Sequence, residues 1–110
     1  MEISRGSIVT ASGPGDYSGK PRPFLVVQSD VYNQSHASIS LCPITSHLAN
    51  DPFFRIALYP DVDNGLRATS EVEVDKVQSM RRERIRDIIG KVSNGTMRQI
   101  DEALRHWLDL

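Results

Sequence analysis

Gly19-Lys20-Pro21-Arg22-Pro23-Phe24-Leu25-Val26-Val27, residues 19–27, is the stretch on which the fold turns. Four consecutive apolar residues, 24–27, describe a strand buried on both faces rather than the alternation of a half-exposed one. The two prolines before them fix φ and remove two backbone donors, so residues 21–23 predict a stiff lead-in that stays out of a sheet centre. Arg22, held between the two rings, is aimed from the mouth of that strand, where a guanidinium can meet a phosphate.

Working outward, Ser7-Ile8-Val9-Thr10 predicts a first strand, joined to residue 20 by a polar loop containing Gly13, Pro14, Gly15 and Gly19. Downstream, Ile39-Ser40-Leu41-Cys42 predicts a strand that Pro43 ends, with residues 32–38 as a polar connection. Residues 54–58 and 71–75 alternate with period two, which predicts two half-exposed strands on either side of turn chemistry at 60–65. Residues 81–86 predict one helical turn, and Ile88-Ile89-Gly90-Lys91-Val92 a further strand. The last segment is an amphipathic helix with Ser93 as its N-cap. Met97, Ile100, Leu104, Trp107 and Leu108 form one apolar stripe, and Asp101 with Arg105 makes an i, i+4 ion pair on the polar side. The order predicts a mainly β chain with one closing helix, a small curved sheet or open barrel, as a single domain over residues 1–110. Strands this short leave edges that a second copy can cover, so a homodimer is expected.

The chain has 110 residues, of which 25% are charged, and a formal net charge of -1. That balance excludes indiscriminate charge-driven binding to nucleic acid and requires any such role to be local. Basic residues do cluster, at Lys20 and Arg22 and again at Arg81, Arg82, Arg84 and Arg86. The single cysteine, Cys42, excludes an internal disulfide and reads as a packed hydrophobe in a reducing compartment. No apolar run approaches the ~20 residues of a membrane helix, and residues 1–5 lack the apolar core of a signal peptide, so a cytoplasmic protein without membrane contact is expected.

Five motifs in chain order resemble the MazF and PemK toxins of bacterial toxin-antitoxin pairs. They are Arg5-Gly6-Ser7-Ile8-Val9, Gly19-Lys20-Pro21-Arg22-Pro23, Gln28-Ser29-Asp30 with Tyr32-Asn33, Pro43-Ile44-Thr45-Ser46, and Asp101-Glu102-Ala103-Leu104. The resemblance implies an SH3-like barrel of five to seven short strands with a C-terminal amphipathic helix, a symmetric homodimer and a cognate acidic antitoxin. It also implies a ribonuclease that cuts single-stranded RNA without a metal or other cofactor, leaving a 2',3'-cyclic phosphate and a 5'-hydroxyl. Catalysis maps onto Arg22 and Thr45, and RNA binding onto Asp16, Tyr17, Lys20, Ser46, Lys76 and Gln78. Gln78 stands where the family commonly has an arginine, with Lys76 as a nearby cation. Tyr17-Ser18 replaces a common Glu-Gln pair, and Glu73 replaces an arginine of some PemK-like members. A guanidinium holds its proton, so Arg22 serves as an electrostatic clamp, and the group that accepts the 2'-hydroxyl proton stays open among Asp16, Asp75, His36 and His47. Two other readings are a gyrase poison, because the fold-related CcdB toxins use a tryptophan near the C-terminus as Trp107 is here, and a non-catalytic binding module, given Gln78.

Overall fold

A computed structural model describes residues 1–12 and 20–110. Its central element is β3 (Ser38–Thr45), eight residues long, flanked on one edge by β2 (Arg22–Val26). β2 pairs onward with β1 (Ser7–Ala11), and β1 with β7 (Ile85–Lys91). The other edge of β3 carries two partners in succession. β6 (Gln78–Arg81) runs along residues 38–41, and β5 (Ser70–Glu73), itself paired with β4 (Arg55–Leu58), takes residues 44 and 45. Every pairing is antiparallel, and the path β4-β5-β3-β2-β1-β7 bends into a barrel-like sheet that does not close.

Pro43 does not end its strand, contrary to the sequence expectation, and the ladder explains why. Ser40 O accepts from the N–H groups of Val27 and Gln28 at 3.1 and 3.2 Å, so even-numbered residues of β3 turn their backbone groups toward β2 and odd-numbered ones away. On that far edge β6 stops at Leu41 and β5 begins at Ile44. Pro43 therefore lacks an N–H at the one stretch where none is needed. The lead-in at residues 22–23 is likewise strand: Arg22 and Pro23 pair with Ala11 and Thr10, while pairing to β3 begins only at Phe24. The prolines are thus tolerated on a one-sided strand end.

Alternate residues of the central strands feed two cores, which accounts for the consecutive apolar run. Leu25 joins Ile8, Cys42, Ile44, Leu58, Val72 and Val74 beneath the terminal helix, whereas Phe24 and Val26 join Ile3, Val9, Ile39, Leu41, Met80 and Ile85 on the opposite face. A short helix, α1 (Asp30–Asn33), runs into the start of the expected 32–38 connection, and α2 (Asn94–Leu108) closes the chain. Ser93 Oγ accepts from Thr96 N–H, as expected of an N-cap. Met97, Ile100 and Ala103 are buried, but Trp107 and Leu108 are 46% and 49% exposed, with the Trp107 ring 5.5 Å from that of Phe54. The expected Asp101–Arg105 pair does not form. Asp101 is taken by Arg5, and Arg105 bonds Glu102 at 2.7 Å. Among the described residues no helix is long and apolar enough to cross a membrane.

β5 departs most from expectation: all four of its residues are buried, including Glu71 and Glu73. Glu71 accepts the backbone N–H groups of Ala49 and Asn50 at 2.8 and 3.0 Å, so its charge is satisfied by the loop that follows β3.

Two measurements check this packing. Glu71→Ala strands two amide donors and should lower stability by about 1–3 kcal/mol in urea unfolding, with faster proteolysis at residues 46–50. Burial, aided by the negative charge of Asp75, pushes the Cys42 thiol up to about 12. Native protein at pH 8 should resist thiol reagents that label it fully in denaturant. An unfolded thiol ionises first, so the contribution of Cys42 is intact below its ordinary pKa and stability should fall as pH rises from there toward 12.

Candidate active site

The register that builds the sheet also builds a groove. β2 and β3 pair Phe24 with Pro43 and Leu25 with Cys42, and Arg22 and Thr45 each stand two residues beyond the Phe24–Pro43 pair on their own strands. Residues two apart on a strand share a face, so Arg22 lies on the side of Phe24 and Thr45 on the side of Pro43. On the other edge of β3 the partner of Thr45 is Glu71. Arg22 and Thr45 both line one open groove of about 850 Å³, together with Lys20, Ser46, Arg67, Ser70, Glu73 and Gln78.

Arg22 is exposed and makes no ion pair or side-chain hydrogen bond among the described residues. Thr45 Oγ1 accepts the N–H of His47 at 3.0 Å, the local turn common for a hydroxyl residue after a strand. That bond occupies an acceptor position of the hydroxyl and leaves its proton available for donation into the groove. Ser46, next in the chain, is exposed on the same wall.

Five expected site residues are therefore brought together: Lys20, Arg22, Thr45, Ser46 and Gln78. Lys76 is not on the groove wall. Its ammonium lies 3.1 Å from the Glu73 carboxylate, which also takes Arg55 at 3.3 Å, so Lys76 serves Glu73. Asp16 and Tyr17 lie outside the described residues. The proton-acceptor candidates separate as well. Asp75 receives two bonds from Arg55, at 2.8 and 3.2 Å, and does not line the groove. His36 sits at the opposite end of β3, its Nδ1 accepting from Ser38 N–H at 3.1 Å. His47 contributes its backbone to Thr45, and its side chain is not among those lining the groove.

The Gln28-Ser29-Asp30…Asn33 motif is structural. Asn33 is fully buried, donating to Gln28 O and to Asp30, and accepting from the Gln28 amide, which in turn takes the N–H of Ser40. The N–H of Arg5, followed by the Asn33 amide, holds the Asp30 carboxyl below its ordinary range. The basic run divides similarly: Arg82 is turned onto the carbonyls of Asn33 and His36, closing the α1 turn.

One groove residue went unread in the sequence, and another was read only as a departure from the family. Glu73 was noted as replacing an arginine, but its burial was hidden by an alternating pattern that reads as half-exposed and follows from β5 being paired on both sides. Arg67 lies in the connection from β4 to β5, where nothing but a charge beside a turn marks it.

Residues 4–108 match the family described as PemK-like, MazF-like toxin of type II toxin-antitoxin system. A Mycolicibacterium smegmatis protein named "Probable endoribonuclease MazF" is 34% identical over 108 residues, covering 98% of each chain. Endoribonuclease MazF6 of Mycobacterium tuberculosis is 35% identical over 114 aligned positions, covering both chains completely. A structure titled as an endoribonuclease in complex with its cognate antitoxin, from Mycobacterial species, shares the fold with a TM-score of 0.81 at 23% identity, covering 98% of this chain and 96% of that one. With nearly its whole length matched in order, this chain belongs to the PemK-like, MazF-like toxin family of type II toxin-antitoxin systems.

Proposed function

We propose that this toxin is a metal-independent, sequence-specific endoribonuclease that cuts single-stranded RNA in the groove lined by β2, β3, β5 and the start of β6. One observation carries the reading: Arg22 and Thr45, the expected catalytic pair, stand at the adjacent ends of the paired strands β2 and β3 and line one cavity. The substrate's 2'-hydroxyl gives up its proton as it attacks the adjacent phosphorus, the P–O5' bond breaks as the new P–O2' bond forms, and O5' takes up a proton. The products are a 2',3'-cyclic phosphate and a 5'-hydroxyl. Negative charge gathers on the phosphoryl oxygens in that transition state. Arg22, in no ion pair among the described residues, and the Thr45 hydroxyl donate to those oxygens more strongly in the transition state than in the ground state. Lys20, Ser46 and Gln78 contact the flanking strand; Asp16 and Tyr17, which precede Lys20 in the sequence, are assigned to the same RNA contact by the family resemblance. Lys76 acts at one remove, by neutralising Glu73 beside the groove.

The toxin acts in the cytoplasm as a homodimer. Its cognate antitoxin is an acidic, partly disordered chain that occupies the RNA groove by charge mimicry. The relatives named as endoribonucleases and the related structure solved with an antitoxin support this assignment.

Purified protein incubated in EDTA with a long single-stranded RNA should cut at defined sites, and end analysis should find cyclic phosphates. Arg22→Ala should slow cleavage by about 10²–10³-fold or more, the size of effect seen when one transition-state donor is removed. Thr45→Ala should slow it substantially while Thr45→Ser keeps most of the rate. Wild-type rates in both alanine variants reject the site. His36→Gln should leave the rate unchanged.

A further inference from the structure

We propose that Arg67 forms a second phosphate subsite, holding a phosphodiester that flanks the scissile one. The assignment rests on the ribonuclease reading above and adds to it a residue that no motif marks. Arg67 is exposed, lines the groove, and makes no ion pair or side-chain hydrogen bond among the described residues. It stands three residues before β5, on the far side of β3 from Arg22. β2 and β5 are two strand spacings apart, about 10 Å, so cations rooted on the two walls suit different phosphates along one bound strand.

Its backbone is fixed from both sides. Leu66 N–H donates to the buried Asn64 Oδ1 at 3.0 Å, and Ala68 O accepts from Ser70 Oγ at 2.9 Å. Asn64 also accepts from Asp61 N–H and donates to Tyr59 O, and Asp63 O takes the N–H of Lys91 on β7. Gly65 has φ +69°, and a Cβ there would lie 2.2 Å from Ile89 O, so this turn is pressed onto β7 as only glycine allows. A cation with a free head on a stiff stem loses little order on meeting a ligand. The local charges favour the same assignment: Gln78 brings none, Lys76 is drawn onto Glu73, and Arg67 supplies a fork on the opposite wall.

The test first maps a cleavage site with wild-type toxin, then uses an oligoribonucleotide spanning it with a 2'-deoxy residue at the attacking position. Arg67→Ala should weaken its binding about tenfold. The slope of log affinity against log salt should become shallower by about 0.7, the value for one single-strand phosphate contact. In cleavage of the natural substrate KM should rise by more than kcat falls, and Arg67→Lys should recover most of the slope. Arg67→Ala with wild-type affinity and slope on a toxin that still cleaves overturns this subsite and leaves the ribonuclease reading standing. A loss confined to binding an acidic antitoxin peptide overturns it equally. Wild-type protein that neither binds nor cuts RNA removes the ribonuclease reading and the subsite with it.

Discussion

One edge of β3 must change partners between residues 41 and 44, and the rest of the molecule is arranged around that seam. A central strand cannot leave backbone donors unpaired without cost, and Pro43 resolves the difficulty by having no donor to leave. The change of partner lets the sheet bend and opens a cleft where β5 ends and β6 begins. Glu73 is the last residue of β5 and Gln78 the first of β6, and both line the groove. The cleft is therefore the space between two half-partners, and its chemistry is whatever side chains the register places on that face.

Charge follows the same seam. Arg55, Glu73 and Asp75 are largely buried and Lys76 is more exposed, together a cluster of two acids and two bases with Arg55 bidentate on Asp75. Ion pairs this shielded hold together because each carboxylate has a cationic partner. The groove beside them keeps Lys20, Arg22 and Arg67 against a carboxylate already matched. A chain with a net charge of -1 thus presents a positive surface where a phosphate would bind, which is how a nearly neutral composition coexists with a polyanionic substrate.

Much of this was legible in the residues. The consecutive apolar run at 24–27 marked a strand between two cores, and Ser93 marked the helix start, because both signals are local. The pairing of Arg22 with Thr45 came from family resemblance, and both residues line one groove at the ends of β2 and β3. The readings that differed share a physical cause: they depend on what lies across the sheet. Pro43 looks like a terminator until the seam is known. Glu71 looks exposed until a loop folds onto it, and Trp107, on the same stripe as buried Met97 and Ile100, is nonetheless half-exposed. Asp101 found Arg5 rather than the neighbour four residues on because the N-terminal segment passes beneath the helix, a relation that helical spacing cannot encode.

The turn after β3 carries one more implication. The orientation of Thr45 is set by a main-chain amide, that of His47, rather than by another side chain. Any amino acid except proline supplies that amide, so position 47 is free to vary in size and charge while the neighbouring hydroxyl keeps its aim. Evolution can then tune how the rim of the cleft looks to different sequences without disturbing the donor within it.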